Sequence, residues 1–220
     1  MNPDHAPENR AIGTSPARSL RAWSLLLTVM VLGLIIDLGS KSVAFRMVAD
    51  APVVLDRDRI LSIAREDPRK IGMVLPAHAP VRVIPGILDL TLVLNPGAVF
   101  GIGPGQRWFF VAFTLLALGL GLWMFAAWTN ARDRSAHVAI GLLLSGGLGN
   151  LYDRLQYGCV RDFLHPLPGW TFPFQWKPFG GSGEIWPYVS NLADLFLLIG
   201  IGMLVIHLWR RDHERGAVAG

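Results

Sequence analysis

Residues 108–128, WFFVAFTLLALGLGLWMFAAW, carry no charge and are long enough to cross a bilayer. A membrane-spanning helix needs ~20 consecutive, mostly apolar residues. Trp108, Trp123 and Trp128 lie towards the two ends of this run, as in an aromatic belt. A second run, Ala22 to Ile36, has fifteen uncharged residues before Asp37 and Lys41. It predicts a helix over 21–44 with that pair in its last turns, four residues apart and on one face. A secretory signal peptide is the competing reading. It is disfavoured because no small-residue cleavage site follows and the polar arm ahead of it is long. A third span is expected from Ser135 to about Tyr152, where Gly141, Ser145 and Gly149 form a small-residue stripe suited to close helix packing. A fourth begins near Tyr188 and ends at Trp209, before Arg210 and Arg211. Composition agrees, with 52% hydrophobic and only 16% charged residues, against roughly 25% charged in soluble domains.

The expected fold class is therefore an all-α membrane protein, with four transmembrane helices and a small β-containing extracytoplasmic segment. Residues 1–20 read as a cytoplasmic arm, 21–210 as a single four-helix membrane domain, and 211–220 as a cytoplasmic tail. The outer segments cover about 46–107 and 155–187. Four spans place both termini on one side with the short link 129–134. Arg18, Arg21, Arg132, Arg134, Arg210 and Arg211 make that side cytoplasmic. The long first outer segment also carries several Arg, but the rule weights short loops and residues near span ends. Within it, 57–66 suits a short helix with Ile60, Ile63 and Ala64 on one face, and 81–94 suits strands around a Pro-Gly break. Residues 155–187 are dense in Pro, Gly and aromatics. Trp170, Phe172, Phe174, Trp176 and Phe179 there suit lipid contact, a lid, or a packed loop.

Polar residues from separate segments converge on the outer side: Asp37, Lys41, Asn95, Asn150, Asp153, Arg154, Asp162, Asn191 and Asp194. Ionisable residues at membrane depth point to function, although Asp194 could also merely cap its helix. Asn150, Asp153 and Arg154 share one side of the third helix, and Asn191 and Asp194 one side of the fourth. The six His show no metal-ligand spacing. His137 reads as an interfacial residue near the cytoplasmic end. The single cysteine, Cys159, has no His beside it and reads as packing. No nucleic-acid motif explains the net charge of +4. Carboxylate chemistry remains: two close carboxyls share a proton, so that one acts as acid and the other as base.

Four blocks in order bring a resemblance. DLGSK at 37–41 is similar to an Asp-Gln-x-x-Lys motif, with Leu38 in place of Gln. NPGAVFG at 95–101 is similar to Asn-x-Gly-Ala-x-Phe. GGLGNLYDRLQYGCVRDF at 146–163 matches Gly-Asn-x-x-Asp-Arg and then Gly-x-Val-x-Asp-Phe. NLADLFLLIG at 191–200 matches Asn-x-Ala-Asp. From about 21 to 210 the chain resembles lipoprotein signal peptidase, the signal peptidase II family, with enlarged outer segments.

The resemblance implies a membrane aspartic endopeptidase that removes the signal peptide from diacylglyceryl-modified prolipoproteins, cutting before the lipidated cysteine. It implies Asp162 and Asp194 as the catalytic pair. Asp37, Asn95, Asn150, Asp153, Arg154 and Asn191 would support the site or bind substrate. For Asn95, a turn role at Pro96-Gly97 is an equal reading. Lys41 would pair with Asp37 or reach headgroups. No cofactor is implied. Expected partners are diacylglyceryl prolipoproteins and membrane lipid, with no nucleic acid, for a monomer in the bacterial cell inner membrane. Its active site would face outward. The alternatives are an inactive relative that binds lipidated peptides and a small proton-coupled carrier. Acids clustered at one face, without internal repeats, favour the peptidase over the carrier.

Overall fold

The computed structural model describes residues 15–97, 106–177 and 183–219. Among the described residues, five α-helices and three strands carry the fold. They are α1 (Leu20–Met47), α2 (Arg57–Glu66), β1 (Val81–Ile84), β2 (Leu88–Asn95), α3 (Arg107–Trp128), α4 (Arg134–Tyr157), β3 (Val160–Pro166) and α5 (Leu192–Ala219). A 3-10 helix at Pro68–Val74 links α2 to the sheet. Among the described residues, three helices are long and apolar enough to cross a membrane: α1, α3 and Leu192–His213 of α5. Their large apolar side chains, such as Leu32, Ile35, Leu116, Leu198 and Val205, face outward. Such a surface is stable only against lipid or a partner.

The fourth long helix, α4, differs in kind. It is absent from the set that qualifies as a span by composition, yet it packs against α1, α3 and α5 at once. Small residues make this possible. Gly141 lies on α1, where a Cβ would stand 2.9 Å from that of Val29 and 3.0 Å from the Leu26 carbonyl oxygen. Gly149 abuts the Asp37 carboxylate, and Ser145 sits over Gly33. Gly146 faces the Ala193 carbonyl and Leu197 of α5, while Gly147 faces Leu118 and Thr114 of α3. The stripe expected to meet one helix is thus part of a surface that meets three.

The two ends of the bundle are chemically distinct. At one end Trp23 packs edge-on against Phe125, with centroids 4.7 Å apart, and Phe125 against His137. Arg211 donates to the Trp128 carbonyl, and Ser135 lies 3.4 Å from His207. The start of α1, the α3–α4 link and residues 207–211 of α5 therefore meet there. His137 is fully buried, with Nε2 3.2 Å from Thr129 Oγ1. The aromatic packing at this end closes over the ring.

At the other end the chain builds an antiparallel sheet of order β1-β2-β3. Phe45, Val48, Ile60, Ile71, Leu92, Leu94, Cys159 and Phe163 form a second core that ties the sheet to the end of α1 and to α2. Asp56 caps α2 by accepting from the backbone of Asp58 and Arg59. The expected face of Ile60, Ile63 and Ala64 points into this core. One expectation needs correction: the fourth helix begins at Leu192, not near Tyr188. β3 lies within residues 155–187, and residues 211–219 continue α5 without a break. Most of the arm, 1–14, lies outside the described residues, as do 98–105, which hold the end of the NPGAVFG block, and Phe179.

Candidate active site

The polar cluster is assembled where α1, α4, β2, β3 and α5 meet. Its base is a set of four buried charges. Asp37 and Lys41 of α1, one turn apart, have no exposure, and the ammonium lies 2.7 Å from Asp37 Oδ2 and 3.3 Å from Asp153 Oδ2. Asp153 of α4 also accepts Arg161 Nε at 2.9 Å and Arg161 Nη2 at 2.8 Å on Oδ1, and the Arg161 backbone N–H at 3.0 Å on Oδ2. Two acids and two bases balance. Burying ions is costly unless each is paired and its remaining lone pairs are bonded. Asp37 meets this condition through Oδ1, which accepts from the Ala193 N–H at 2.9 Å. Gly158, at φ 75°, ends α4 in the left-handed region and turns the chain back so that Arg161 reaches Asp153.

Above this base two amides are locked in orientation. Asn150 Oδ1 accepts from Lys41 Nζ at 3.1 Å and from Asn191 Nδ2 at 3.2 Å. Its amide nitrogen must then point the other way, and it donates to Asp194 Oδ1 at 2.8 Å. Asn191 Nδ2 also donates to Asp162 Oδ1 at 2.6 Å. Asn191 and Asp194 further make a reciprocal pair at the start of α5. The Asp194 N–H donates to Asn191 Oδ1 at 3.1 Å, and the Asn191 N–H to Asp194 Oδ2 at 3.2 Å. This is the logic of a capping box. Capping is therefore one of the jobs Asp194 does.

Asp162 is delivered by β3, opposite Val93 in the ladder, and is buried. Its Oδ2 accepts from Asn95 Nδ2 at 3.1 Å. The Asn95 Oδ1 accepts from the Gly97 N–H at 3.0 Å, so this residue both forms its turn and touches Asp162. Burial first, and the charge of Asp194 second, push the Asp162 carboxyl up to about 7, against the pull of its Asn191 and Asn95 hydrogen bonds. Arg154 does not bond Asp153, despite the adjacency. Its Nη2 donates to the Gly97 carbonyl at 3.2 Å and its guanidinium lies 5.1 Å from the Phe110 ring centre. Cys159 is buried, and burial pushes its thiol up to about 12, which suits packing rather than attack.

All eight expected site residues thus fall in one cluster, and Asp162 and Asp194 are joined through Asn191. Two members were undervalued in the sequence. Lys41 is a buried counter-ion, not a headgroup contact, and Arg161 is the partner of Asp153. The i,i+4 spacing signalled half of the first. Nothing local signalled the second, which depends on the turn at Gly158. Among the described residues, no group of three His, Cys, Asp or Glu is placed to share a metal ion.

Comparison with known proteins decides the family. The profile described as signal peptidase (SPase) II matches residues 29–210, most of the chain. The chain belongs to the signal peptidase II family. It is 35% identical over 159 residues to the lipoprotein signal peptidase of Desulfitobacterium hafniense strain DCB-2, covering 71% of this chain and 88% of that protein. It is also 35% identical to that of Symbiobacterium thermophilum, over 60% of this chain and 76% of the relative. A solved bacterial membrane enzyme shares the fold at TM-score 0.59 and 25% identity, covering 86% of this chain and 90% of the other. As a member of the signal peptidase II family, with apolar helices of spanning length, the chain is a membrane protein.

Proposed function

We propose that the chain is an aspartic endopeptidase that removes the signal peptide from diacylglyceryl-modified prolipoproteins, cutting before the lipidated cysteine. The relatives are named lipoprotein signal peptidases, which supports the substrate class. The observation that carries the catalytic type is the pair of carboxyls joined through Asn191 at the mouth of the bundle, one buried and one half-buried.

In this reading a water sits between Asp162 and Asp194. Asp162 carries the proton, because burial and its neighbour's charge favour the neutral acid. Asp194, in the first turn of α5 and accepting from the Asn150 side-chain amide and the Asn191 backbone N–H, takes the proton of the attacking water. Asp162 polarises the scissile carbonyl and later protonates the leaving amine. Asn150 and Asn191 orient the pair. Arg154 and Asn95 hold the 95–97 turn against it. The buried charges at Asp37, Lys41, Asp153 and Arg161 fix the platform beneath.

The same reading takes α4 as a fourth crossing, shielded from lipid by the other three, with the monomer in the bacterial inner membrane. The arginine-rich end is cytoplasmic and the site faces outward. Asp162→Asn and Asp194→Asn are each expected to abolish cleavage of a purified diacylated prolipoprotein while the protein stays folded. Normal cleavage by the Asp162→Asn protein would overturn the assignment. An inactive unaltered chain that still binds the lipidated substrate would leave a peptide-binding protein instead.

A further inference from the structure

Between β3 and α5 the chain extends an arm that the catalytic cluster does not use. Its two sides are laced together: the Phe172 N–H donates to the Gly183 carbonyl at 2.9 Å and the Ile185 N–H to the Trp170 carbonyl at 2.7 Å. Its root is fixed twice. Leu164 and Ser190 exchange backbone hydrogen bonds at 2.8 Å, and the Leu167 N–H donates to the Ile87 carbonyl at 2.8 Å. This bracing holds the root of the arm in place on the sheet. A lid that swings would need a free hinge there.

What the arm displays is largely aromatic, with Thr171 and Lys177 exposed among the rings. Trp170, Phe174, Trp176 and Trp186 are exposed, and Phe174 is 100% exposed. Phe174 also has φ 60°, a left-handed conformation that a bulky L-residue adopts only at a cost. In this conformation the ring stands outside the fold. The apolar surface does not stop at the arm. Ile84 and Ile87, at the adjoining β1–β2 turn, are exposed too. On the other side, the chain enters α5 a few residues after Trp186, where exposed Leu195, Leu198 and Ile199 begin the outward apolar face of that helix.

We infer that the arm is a membrane-interface anchor, with Trp170, Phe174, Trp176 and Trp186 lying in the headgroup boundary of the leaflet beside the start of α5. Three observations select lipid over other occupants. The patch leads, a few residues after Trp186, into a helix that is itself long and apolar enough for lipid. Three of its four rings are Trp, whose apolar body and polar N–H suit the boundary between water and hydrocarbon. The braced root gives a fixed platform instead of a moving cover. The anchor would hold the sheet, and with it Asp162, at constant depth over the bilayer. This rests on the proposal that the site end of the bundle lies at a membrane surface, but not on the catalytic roles.

The test places an environment-sensitive fluorophore on Phe174→Cys in the full-length protein, reconstituted in phospholipid nanodiscs. Cys159 is buried and leaves the new thiol as the one to label. Blue-shifted emission, quenched by lipids with a shallow nitroxide and protected from aqueous iodide, is the expected result. Quenching by iodide alone would overturn the inference. So would lipid quenching lost on adding a diacylated prolipoprotein, which marks a lid, or present only with two copies per disc, which marks self-association. Trp176→Cys, labelled in the same way, guards against a defect peculiar to one position. Cleavage is measured on the unaltered chain in the same discs. Active protein with an iodide-quenched label sinks the anchor alone, and inactive protein with a lipid-quenched label sinks the peptidase reading alone.

Discussion

Lys41 is a charged side chain with no exposure, held between two carboxylates and an amide. Removing one member of a buried ionic cluster leaves the others uncompensated, at a cost of about 3–5 kcal/mol. Lys41→Met is therefore expected to lower the unfolding temperature in detergent sharply, and Lys41→Met combined with Asp37→Asn to recover part of the loss. An unchanged melting curve for the single variant would remove this cluster from the account of stability. Asp162 gives the pH dependence. Its folded value, about 7, lies above the ordinary 3.8, so the fold favours its neutral form. The associated stability is fully present below about 3.8 and is lost as pH rises through about 7. Cleavage should fall over the same upper limb if Asp162 must carry the proton. Asp162→Asn should flatten the stability profile between those limits, and thermal melts across pH 4 to 8 would read it.

The start of α5 and the end of α4 are where helix chemistry and site chemistry coincide. Gly158→Ala forces a left-handed backbone onto an L-residue and sets a methyl 2.9 Å from Leu61 Cδ2. We expect a loss of about 1–2 kcal/mol and weakened cleavage, because the turn that brings Arg161 to Asp153 is disturbed. A substituted protein with unaltered melting and turnover would contradict this. Gly146→Val should be worse, since its side chain would meet the Ala193 carbonyl and drive α4 from α5 beside the amides. The helices were legible in the chain because apolar runs and small-residue spacing are local signals. β3 was not. Val160, Arg161, Asp162 and Phe163 are all buried, so the usual alternation of polar and apolar residues is missing, and two charges in a row are not the signal of a core strand. Asp153 and Arg154 are neighbours, which hid the true partner of Asp153 seven residues past Arg154. The bond from Lys41 to Asn150 spans 109 positions and leaves no local trace.

At the scale of the molecule, the α3–α4 link and the far part of α5 meet at one end, and the site lies at the other. Cytoplasmic reporters fused near Arg132 or Arg211 are expected to be active. Export-dependent reporters should be active when fused near Asp67 or Gly181. The reverse pattern at any of these positions would break the four-crossing arrangement. The polarity of α4 has a consequence for how the protein is made. A helix carrying Asn150, Asp153 and Arg154 enters hydrocarbon poorly on its own. During synthesis α1 emerges first and presents Asp37 and Lys41, the groups that later satisfy Asn150 and Asp153. Insertion of α4 should thus be templated by a helix already in the bilayer, making biogenesis sequential. We predict that Lys41→Leu lowers the fraction of nascent chains whose residue-165 region is exported, as scored by a glycosylation tag in a cell-free translation with microsomes. Equal export in both chains would show that α4 partitions unaided.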